Sequence, residues 1–386
     1  MALVPAVLPQ LEKIGVQAVV EPGAGWEAGF SDDAYRERGA EIAADRAAAM
    51  AAADIVLQVR ALGANPQQGR ADLDLFRRGQ AVVAMCDPLG NPQAVQELAE
   101  RGVTLFALEL IPRITRAQSM DVLSSMATVA GYRAVLLAAS HLPKMFPLMM
   151  TAAGTLAAAK TLVLGAGVAG LQAIATSRRL GAVVQGYDVR AAVKEQIESL
   201  GAKFVELPLD TAGTEGQGGY AQALAEEQQR RQRELLADVA AGVDVCIATA
   251  AIPGKPSPLL LTADAVQRMA PGSVIVDLAA ERGGNCELTK PDQIVVAHGV
   301  TILGPTNLAS DVPQHASQMY AKNITTLLQL LVKQGELDID LKDEIIRDTL
   351  AAKDGQVQNP RLRDMLGLGP LALPPGEPAI EHLADS

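Results

Sequence analysis

One stretch of the chain, residues 159–190, restricts the possible folds more than any other. The apolar run Thr161–Leu164 predicts a buried parallel strand, and the run Gly165–Gly170 follows it directly as G-x-G-x-x-G. A helical pattern comes next, and a second apolar run, Val183–Tyr187, ends at Asp188. Strand, glycine turn, helix, strand and terminal acid together form the dinucleotide-binding fingerprint of a βαβ unit.

The positions of the fingerprint have separate physical roles. Gly165 makes the tight turn, Gly167 lets a pyrophosphate approach the backbone, and Gly170 lets the helix pack closely on the strand. The phosphates are expected on the free N–H groups at the helix N-terminus, where Val168 and Ala169 lie. The simpler alternative is a glycine turn that serves only helix packing.

The residues after the second strand choose between nucleotides. We expect Asp188, with its neighbours Val189 and Arg190, to line the site of the adenosine ribose. A carboxylate accepts hydrogen bonds from ribose hydroxyls and repels a 2′-phosphate, so NAD(H) is favoured over NADP(H). Arg190 keeps the other choice open, because an arginine at this place can bind a 2′-phosphate.

The charge and cysteine content exclude several kinds of partner. In 386 residues, 33 Lys and Arg against 44 Asp and Glu give a net charge of −11, which argues against nucleic acid or anionic lipid. Three scattered cysteines and four histidines lack the spacing of a disulfide framework or a metal site, so we predict no metal and a reducing cytoplasm. The longest charge-free stretches, 145–159 and 161–177, are shorter than the roughly 20 residues of a spanning helix, so no direct membrane insertion is expected.

Alternating strand and helix patterns predict an α/β fold with two doubly wound Rossmann-like domains. Residues 1 to about 110 repeat the βα pattern without a second G-x-G-x-x-G. The apolar runs Asp244–Thr249 and Ser273–Leu278 continue the sheet of the nucleotide domain. The tail from Gly355 is rich in proline and is expected to be irregular.

Two long helical patterns indicate how the domains are connected. Ser119–Leu142 and Leu308–Val332 are long enough, at about 1.5 Å per residue, to lead from one domain to the other and back. We therefore expect a discontinuous N-terminal domain, 1–125 and 311–386. The NAD(H)-binding domain, 126–310, is inserted into it.

Two turns follow strands of the nucleotide domain at the sheet edge where ligands of open parallel sheets bind. Thr249, Ala250 and Ala251 come after the fourth strand, and we expect the nicotinamide side of the site there. The turn 279–285 follows the fifth strand and lies at the same edge.

The loop 208–219 has four glycines, including Gly219, and Tyr220 follows it. One interpretation is a plain flexible loop. The other is a lid that closes Tyr220 over bound nucleotide.

The segment 109–121 is polar and lies between two apolar regions. By itself it predicts an interdomain loop with an ordinary ion pair, leading into a helix for which Ser119 is the N-cap.

Two runs of the sequence nevertheless resemble the NAD(H)-binding component of the proton-translocating nicotinamide nucleotide transhydrogenase. They are PRITRAQSMDVLSSMATVAGYRAV and LVLGAGVAGLQAIATSRRLGAVVQGYDVR. The resemblance continues in GGYAQALAEEQQRRQ, IPGKPSPLLLT and VDLAAERGGNCE, and it covers nearly the whole chain. That family is related to alanine dehydrogenase and shares its two-domain fold. Its members usually have a leading strand and a basic, proline-containing loop before the point where this sequence starts, so either the start was mis-set or the first strand is absent.

The resemblance implies specific roles for several residues. Arg113, Gln118 and Asp121 match the Arg-Gln-Asp constellation, which holds the nicotinamide and meets the NADP(H) domain of a partner subunit. Ser124 matches a residue that anchors the carboxamide, and Tyr220 matches the tyrosine of a mobile lid that closes on NAD(H).

The resemblance also implies an activity and an assembly. The expected activity is that of a subunit of a Re/Si-specific, proton-translocating NAD(P)+ transhydrogenase. The chain would be a soluble homodimer that docks on a membrane-spanning subunit and on an NADP(H)-binding subunit, so the second nucleotide belongs to the partner. Its place would be peripheral, on the cytoplasmic face of the inner membrane.

Two alternatives remain open on the sequence. An amino-acid dehydrogenase related to alanine dehydrogenase needs a Lys or His beside its substrate. In this chain Arg60, in the run VLQVRALG, stands where the Lys would be. Cys86 and Asp87, in the run VVAMCDPLG, stand where the His would be. Arginine is not a neutral base at pH 7, whereas hydride transfer between two nicotinamides moves no proton, so transhydrogenation is favoured. The other alternative is a non-catalytic NAD(H)-binding module.

Overall fold

The computed structural model describes residues 1–208, 226–252 and 254–371. The chain forms two compact units, each with its own α/β sheet. The first unit consists of Met1–Trp26, Phe30–Asp121 and the chain from Ala321 onward, and the second of Glu27–Gly29 and Val122–Tyr320. The α/β fold with parallel, Rossmann-like sheets is therefore as the sequence predicts.

The N-terminal part of the first unit alternates short strands and helices. Its strands are β1 (Val19–Val20), β2 (Glu41–Ile42), β3 (Ile55–Arg60), β4 (Ala81–Met85) and β5 (Thr104–Ala107). Its helices are α1 (Leu8–Glu12), α2 (Asp32–Arg36), α3 (Arg46–Ala52), α4 (Gln68–Asp72) and α5 (Pro92–Glu100). The side chains of Ser31, Asp45 and Asn91 accept backbone N–H groups of the first turns of α2, α3 and α5, so local capping sets where these helices begin.

The second unit contains the glycine fingerprint and a longer series of elements. Its strands are β6 (Met149–Thr151), β7 (Gly154–Leu156), β8 (Lys160–Leu164), β9 (Val183–Tyr187), β10 (Lys203–Phe204), β11 (Val245–Ala248), β12 (Val274–Asp277), β13 (Ile294–Ala297) and β14 (Val300–Leu303). Its helices are α6 (Val122–His141), α7 (Val168–Arg179), α8 (Lys194–Ser199), α9 (Glu226–Ala240) and α10 (Ala263–Gln267).

The sheet of the second unit places the candidate site. Its seven strands lie in the order β10-β9-β8-β11-β12-β14-β13, and all neighbours are parallel except β13 and β14. The strand order reverses between β8 and β11, which is the switch point where open α/β sheets bind their ligands. Leu164, Tyr187 and Ala248 are level in the register, so the turns after β8, β9 and β11 start at one height.

Alternate residues of the central strands enter different core layers. Val163 packs in the layer that contains α6 and α7, whereas Leu162 and Leu164 pack in the layer that contains α9 and α10. All three side chains are fully buried. A parallel sheet covered on both faces explains why this stretch reads as a continuous apolar run.

The C-terminal part returns the chain to the first unit. α11 (Pro313–Leu331) begins in the second unit and ends in the first. The later elements are β15 (Val332–Lys333), β16 (Glu336–Leu337), α12 (Glu344–Thr349), β17 (Leu350–Lys353), β18 (Gln356–Val357) and α13 (Pro360–Met365). β17 and β18 complete a five-stranded sheet in the order β18-β17-β5-β4-β3, in which β17 is antiparallel to β5, whereas β15 and β16 pair with each other.

Two local predictions are wrong. The tail beyond Gly355 is not irregular over its described part, because β18 pairs with β17, and Asn359 accepts the Leu362 N–H to cap α13. Ser119 does not cap the long helix, because Thr115–Met120 form a 3₁₀ turn and α6 begins only at Val122. In both places tertiary contacts override a local compositional signal.

α6 is, in the described part of the chain, the one helix long and apolar enough to cross a membrane by length and composition. Arg133 interrupts the apolar run of α6, so this helix is not one of the long charge-free stretches of the sequence. Ala134, Val135 and Ala138 are fully buried in the core layer under α7. Over the most apolar 18-residue window of α6, 33% is buried, and a single helix of this kind is weak evidence for a membrane span.

Candidate functional site

The glycine turn after β8 has the geometry that its three glycines predict. Gly165 has a φ of +95°, and a Cβ there would lie 2.8 Å from the Thr249 hydroxyl oxygen. A Cβ on Gly170 would lie 1.8 Å from the carbonyl oxygen of Gly165, so α7 approaches the turn too closely for any side chain. At Gly167, by contrast, no heavy atom of the described chain lies within 4 Å of a Cβ position. Two glycines thus serve close packing, and the third leaves open space.

The N-terminus of α7 faces that open space with little side-chain cover. Gly167 is its N-cap and has no side chain to bond to the first-turn N–H groups. Gly167 and Val168 are exposed, Ala169 is partly buried, and Gly170 is buried. The first N–H groups of a helix lack intrahelical partners and carry positive partial charge, so this place suits a phosphate group.

Asp188 follows β9 and is almost fully buried, at 8% exposure. One carboxylate oxygen accepts the Ala166 N–H of the glycine turn at 2.7 Å. The guanidinium of Arg190 binds both oxygens, with Nε at 2.9 Å and Nη2 at 2.8 Å, and the Arg190 N–H donates to the carboxylate as well. The acceptor positions of the carboxylate are therefore already in use, and a ribose that binds Asp188 has to displace or share the arginine. The sequence names both residues but does not show that they pair.

The turn after β11 is tied to the glycine turn. The Thr249 N–H donates to the carbonyl oxygen of Leu164 at 2.7 Å, and its hydroxyl donates to the carbonyl oxygens of Leu164 and Gly165 at 3.2 and 3.0 Å. Thr249 and Ala250 are partly buried, and Ala251 is exposed. The three residues therefore follow β11 at the switch point of the sheet, and their role on the nicotinamide side stays a prediction.

A residue of the next turn fixes Ala250. The side-chain amide of Asn285 donates to the Ala250 carbonyl oxygen at 2.8 Å and accepts the Ala250 N–H at 3.0 Å. Asn285 is fully buried. The sequence predicts that the turn 279–285 lies at this edge, but not that Asn285 is its contact to the neighbouring turn. The signal in the sequence for this contact is an Asn in a glycine-containing turn, eight residues beyond Asp277.

The segment with Arg113, Gln118 and Asp121 belongs to the first unit, whereas Ser124 lies on α6 in the second. Arg113 and Gln118 are exposed, and Asp121 and Ser124 are partly buried. The side chains of Arg113 and Gln118 are therefore accessible to solvent.

Three contacts within the first unit hold this segment in place. Arg116 makes a bidentate ion pair with Asp343 at 2.6 and 2.8 Å, and this pair lowers the pKa of Asp343. Asn323 donates from its side chain to the Ser119 carbonyl oxygen at 2.8 Å. At the start of the segment, Glu109 accepts the backbone N–H groups of Cys86 and Asp87.

Glu109, Cys86 and Arg60 stand at or just after the ends of β5, β4 and β3. Burial raises the pKa of Glu109 to about 7, and it raises the pKa of the Cys86 thiol well above its usual value. Both oxygens of Glu109 already accept backbone N–H groups, at 2.7 and 3.1 Å. The carboxyl group therefore anchors the turn after β4, and no sequence pattern indicates this contact.

Two predicted binding residues cannot be placed. Gly219 and Tyr220 lie outside the described residues, so the expected lid stays a prediction.

Comparison with known proteins identifies the relatives of this chain. The family model "Alanine dehydrogenase/PNT, N-terminal domain" matches residues 1–130, and "Alanine dehydrogenase/PNT, C-terminal domain" matches residues 134–360. The chain is 45% identical over 365 residues to the first part of the NAD(P) transhydrogenase alpha subunit of Rhodospirillum rubrum, covering 94% of this chain and 95% of that protein. It is 27% identical to the alanine dehydrogenase of Bacillus subtilis, over 92% of this chain and 88% of that protein. The crystal structure of transhydrogenase from Sinorhizobium meliloti matches with a TM-score of 0.82 and 44% identity, over 92% of this chain and 95% of that one.

Proposed function

Because this chain belongs to the alanine dehydrogenase/PNT family, we propose that it is the NAD(H)-binding subunit of a proton-translocating NAD(P)+ transhydrogenase. The observation that carries the proposal is the glycine turn, open at Gly167, bounded by the bare N-terminus of α7 and bonded to the acid Asp188. When bound, NADH supplies a hydride from C4 of its nicotinamide to NADP+ held by the partner domain.

The second unit holds the adenosine and phosphate part of the nucleotide. The N–H groups of Val168 and Ala169 bind the pyrophosphate at the start of α7. Asp188 accepts the ribose hydroxyls in exchange for part of its bonding to Arg190. The Asp188 carboxylate is therefore hydrogen-bonded both with and without nucleotide, and its negative charge disfavours a 2′-phosphate.

The nicotinamide end needs positioning and the exclusion of water rather than a base. Arg113, Gln118 and Asp121 hold the ring and meet the partner's domain, and Ser124 anchors the carboxamide. The Arg116–Asp343 ion pair supports this role, because it fixes the segment that carries the first three residues. Hydride transfer between two rings at van der Waals distance depends mainly on such fixed geometry.

The ends of β3 and β4 favour transhydrogenation over amino-acid dehydrogenation. An arginine, Arg60, stands where the base of an amino-acid dehydrogenase would be, and arginine is not a neutral base; burial raises the pKa of the Cys86 thiol. Both oxygens of Glu109 are bonded to the backbone N–H groups of Cys86 and Asp87, so its carboxyl group is directed at that turn. The identity of 45% to a transhydrogenase subunit, against 27% to an alanine dehydrogenase, supports the same choice.

The assembly follows from the proposed reaction. The chain carries one nucleotide fingerprint, so NADP(H) has to come from a second polypeptide. We propose a homodimer that docks on an NADP(H)-binding subunit and a membrane-spanning subunit at the cytoplasmic face of the inner membrane. The name of the Rhodospirillum relative, which is a portion of an alpha subunit, supports a complex of several subunits.

The test is a hydride-exchange assay. The purified chain is mixed with the NADP(H)-binding domain of a transhydrogenase, and transfer from NADH to an oxidised nicotinamide analogue is followed by absorbance. We expect exchange only when both proteins are present. If the chain alone reduces NAD+ in the presence of alanine and no exchange occurs in the mixture, the chain is an amino-acid dehydrogenase instead.

A further inference from the structure

Asn285 connects two turns at the carboxyl edge of the nucleotide-binding sheet. Its side-chain amide donates to the carbonyl oxygens of Ala250 and Pro258, each at 2.8 Å, and its side-chain oxygen accepts the Ala250 N–H at 3.0 Å. Both polar groups of the Ala250 backbone are thereby directed at one buried amide. The fully buried Asn285 thus sets the orientation of the turn after β11.

Asn285 is itself held in a rigid surrounding. Its N–H donates to a carboxylate oxygen of Asp277 at 2.8 Å, and its carbonyl oxygen accepts the N–H groups of Leu260 and Leu261 at 2.8 and 2.9 Å. Asp277 is fully buried at the end of β12, and the same carboxylate accepts the N–H of Cys286 and the hydroxyl of Thr289. The amide therefore cannot follow Ala250 if the turn moves.

The fixed turn forms one wall of the crevice at the switch point. Thr249 binds the carbonyl oxygen of Gly165, so the turns after β8, β11 and β12 are linked in one hydrogen-bonded series. Asp188 lies after β9, on the opposite side of β8 from β11. A dinucleotide that crosses the switch point with its adenosine at Asp188 places its nicotinamide half on the side of Ala250 and Ala251.

We propose that Asn285 is a positioning residue for the nicotinamide half of bound NAD(H), and that it acts through the peptide of Ala250. This inference rests on the proposed nucleotide-binding function and adds a residue to it. Asn285 does not touch the nucleotide, since its three side-chain bonds are all used within the protein. Its effect should therefore depend on which part of the nucleotide is present.

The test compares NADH with 5′-AMP, which contains only the adenosine phosphate part. Binding of each to wild type and to Asn285→Ala is measured by calorimetry. We expect the dissociation constant of NADH to rise about tenfold, or about 1.4 kcal/mol, and that of 5′-AMP to change less than twofold. Equal losses for both nucleotides would mean that Asn285 only supports the unit's structure, and an unchanged NADH constant would mean that it positions nothing.

Ser273→Ala is the matched control. Ser273 is also buried and lies just before the amino end of β12, at the sheet edge opposite the site, where its hydroxyl donates to the Val243 carbonyl oxygen. It should leave both dissociation constants unchanged. Wild-type protein that binds neither nucleotide would instead refute the proposed function itself.

A measurement on the wild type covers the case in which Asn285→Ala does not fold. The side-chain amide signal of Asn285 is followed by NMR in ¹⁵N-labelled protein during titration. We expect it to shift with NADH and to stay in place with 5′-AMP. Equal shifts with both nucleotides, or none with NADH, would overturn the proposal.

Discussion

Replacing Glu109 with glutamine should remove a loss of stability that the wild type undergoes between about pH 4.5 and 7. Burial raises the pKa of this carboxyl from 4.5 to about 7. Over that interval the folded protein therefore keeps a proton that the unfolded chain has released, and stability falls as the pH rises. The difference corresponds to about 3 kcal/mol, since one pKa unit is about 1.4 kcal/mol. Below the interval both states are protonated, and above it both are ionised, so no further change arises from this group.

The assay is urea unfolding followed by circular dichroism from pH 4.5 to 8, for wild type and Glu109→Gln. The free energy of unfolding of the wild type, minus that of the variant, should decrease by about 3 kcal/mol across the interval. A glutamine accepts only one of the two N–H groups of Cys86 and Asp87, which adds an offset but no pH dependence.

Glu97→Gln is the control for this experiment. Glu97 forms an exposed ion pair with Arg70, which lowers the pKa of its carboxyl, so its contribution is present at higher pH and is lost as the pH falls. The difference between wild type and Glu97→Gln should rise slightly with pH or stay flat. A flat difference for Glu109→Gln would show that its carboxyl is not held away from water, and our account of this turn would then be wrong.

Three further predictions concern the nucleotide. Asp188→Ala should weaken NADH binding by about 1–3 kcal/mol through loss of ribose hydrogen bonds, and an unchanged dissociation constant in calorimetry would exclude that role. Gln118→Ala should leave NADH affinity nearly intact and slow hydride exchange in stopped-flow assays, whereas a large loss of affinity would make Gln118 a simple binding residue. Gly170→Ala should abolish NADH binding in the same calorimetric assay, because its Cβ would lie 1.8 Å from the Gly165 carbonyl oxygen, and wild-type affinity would show that the turn adapts.

Some features of the site were readable because their cause is local. The glycine turn after β8 is specified by short-range sterics, and the structure gives Gly165 a positive φ and Gly170 a close backbone contact. The apolar strands around it are equally visible, because burial on both faces of a parallel sheet leaves a continuous apolar run.

Other features were missed because their cause is distant in the chain. The antiparallel hairpin of β6 and β7 has no turn dipeptide by which it could be predicted from the sequence. Its apolar residue Met150 is 81% exposed. The C-terminal strand β17 pairs with β5, far away in sequence, and β18 then pairs with β17. Asn323 and Asp343 hold the segment at Ser119 and Arg116 across more than two hundred residues, and no local pattern marks them.

The sequence alone determined that this protein has a βαβ nucleotide fold and which residues form its glycine turn, because those depend on the conformations of neighbouring residues. Only the tertiary structure decided that Arg190 pairs with Asp188, that Glu109 accepts hydrogen bonds from the turn at Cys86, and that Asn285 holds Ala250. Hydrogen bonds of buried polar groups are chosen among all partners that folding brings within reach, and separation along the chain does not reveal that choice.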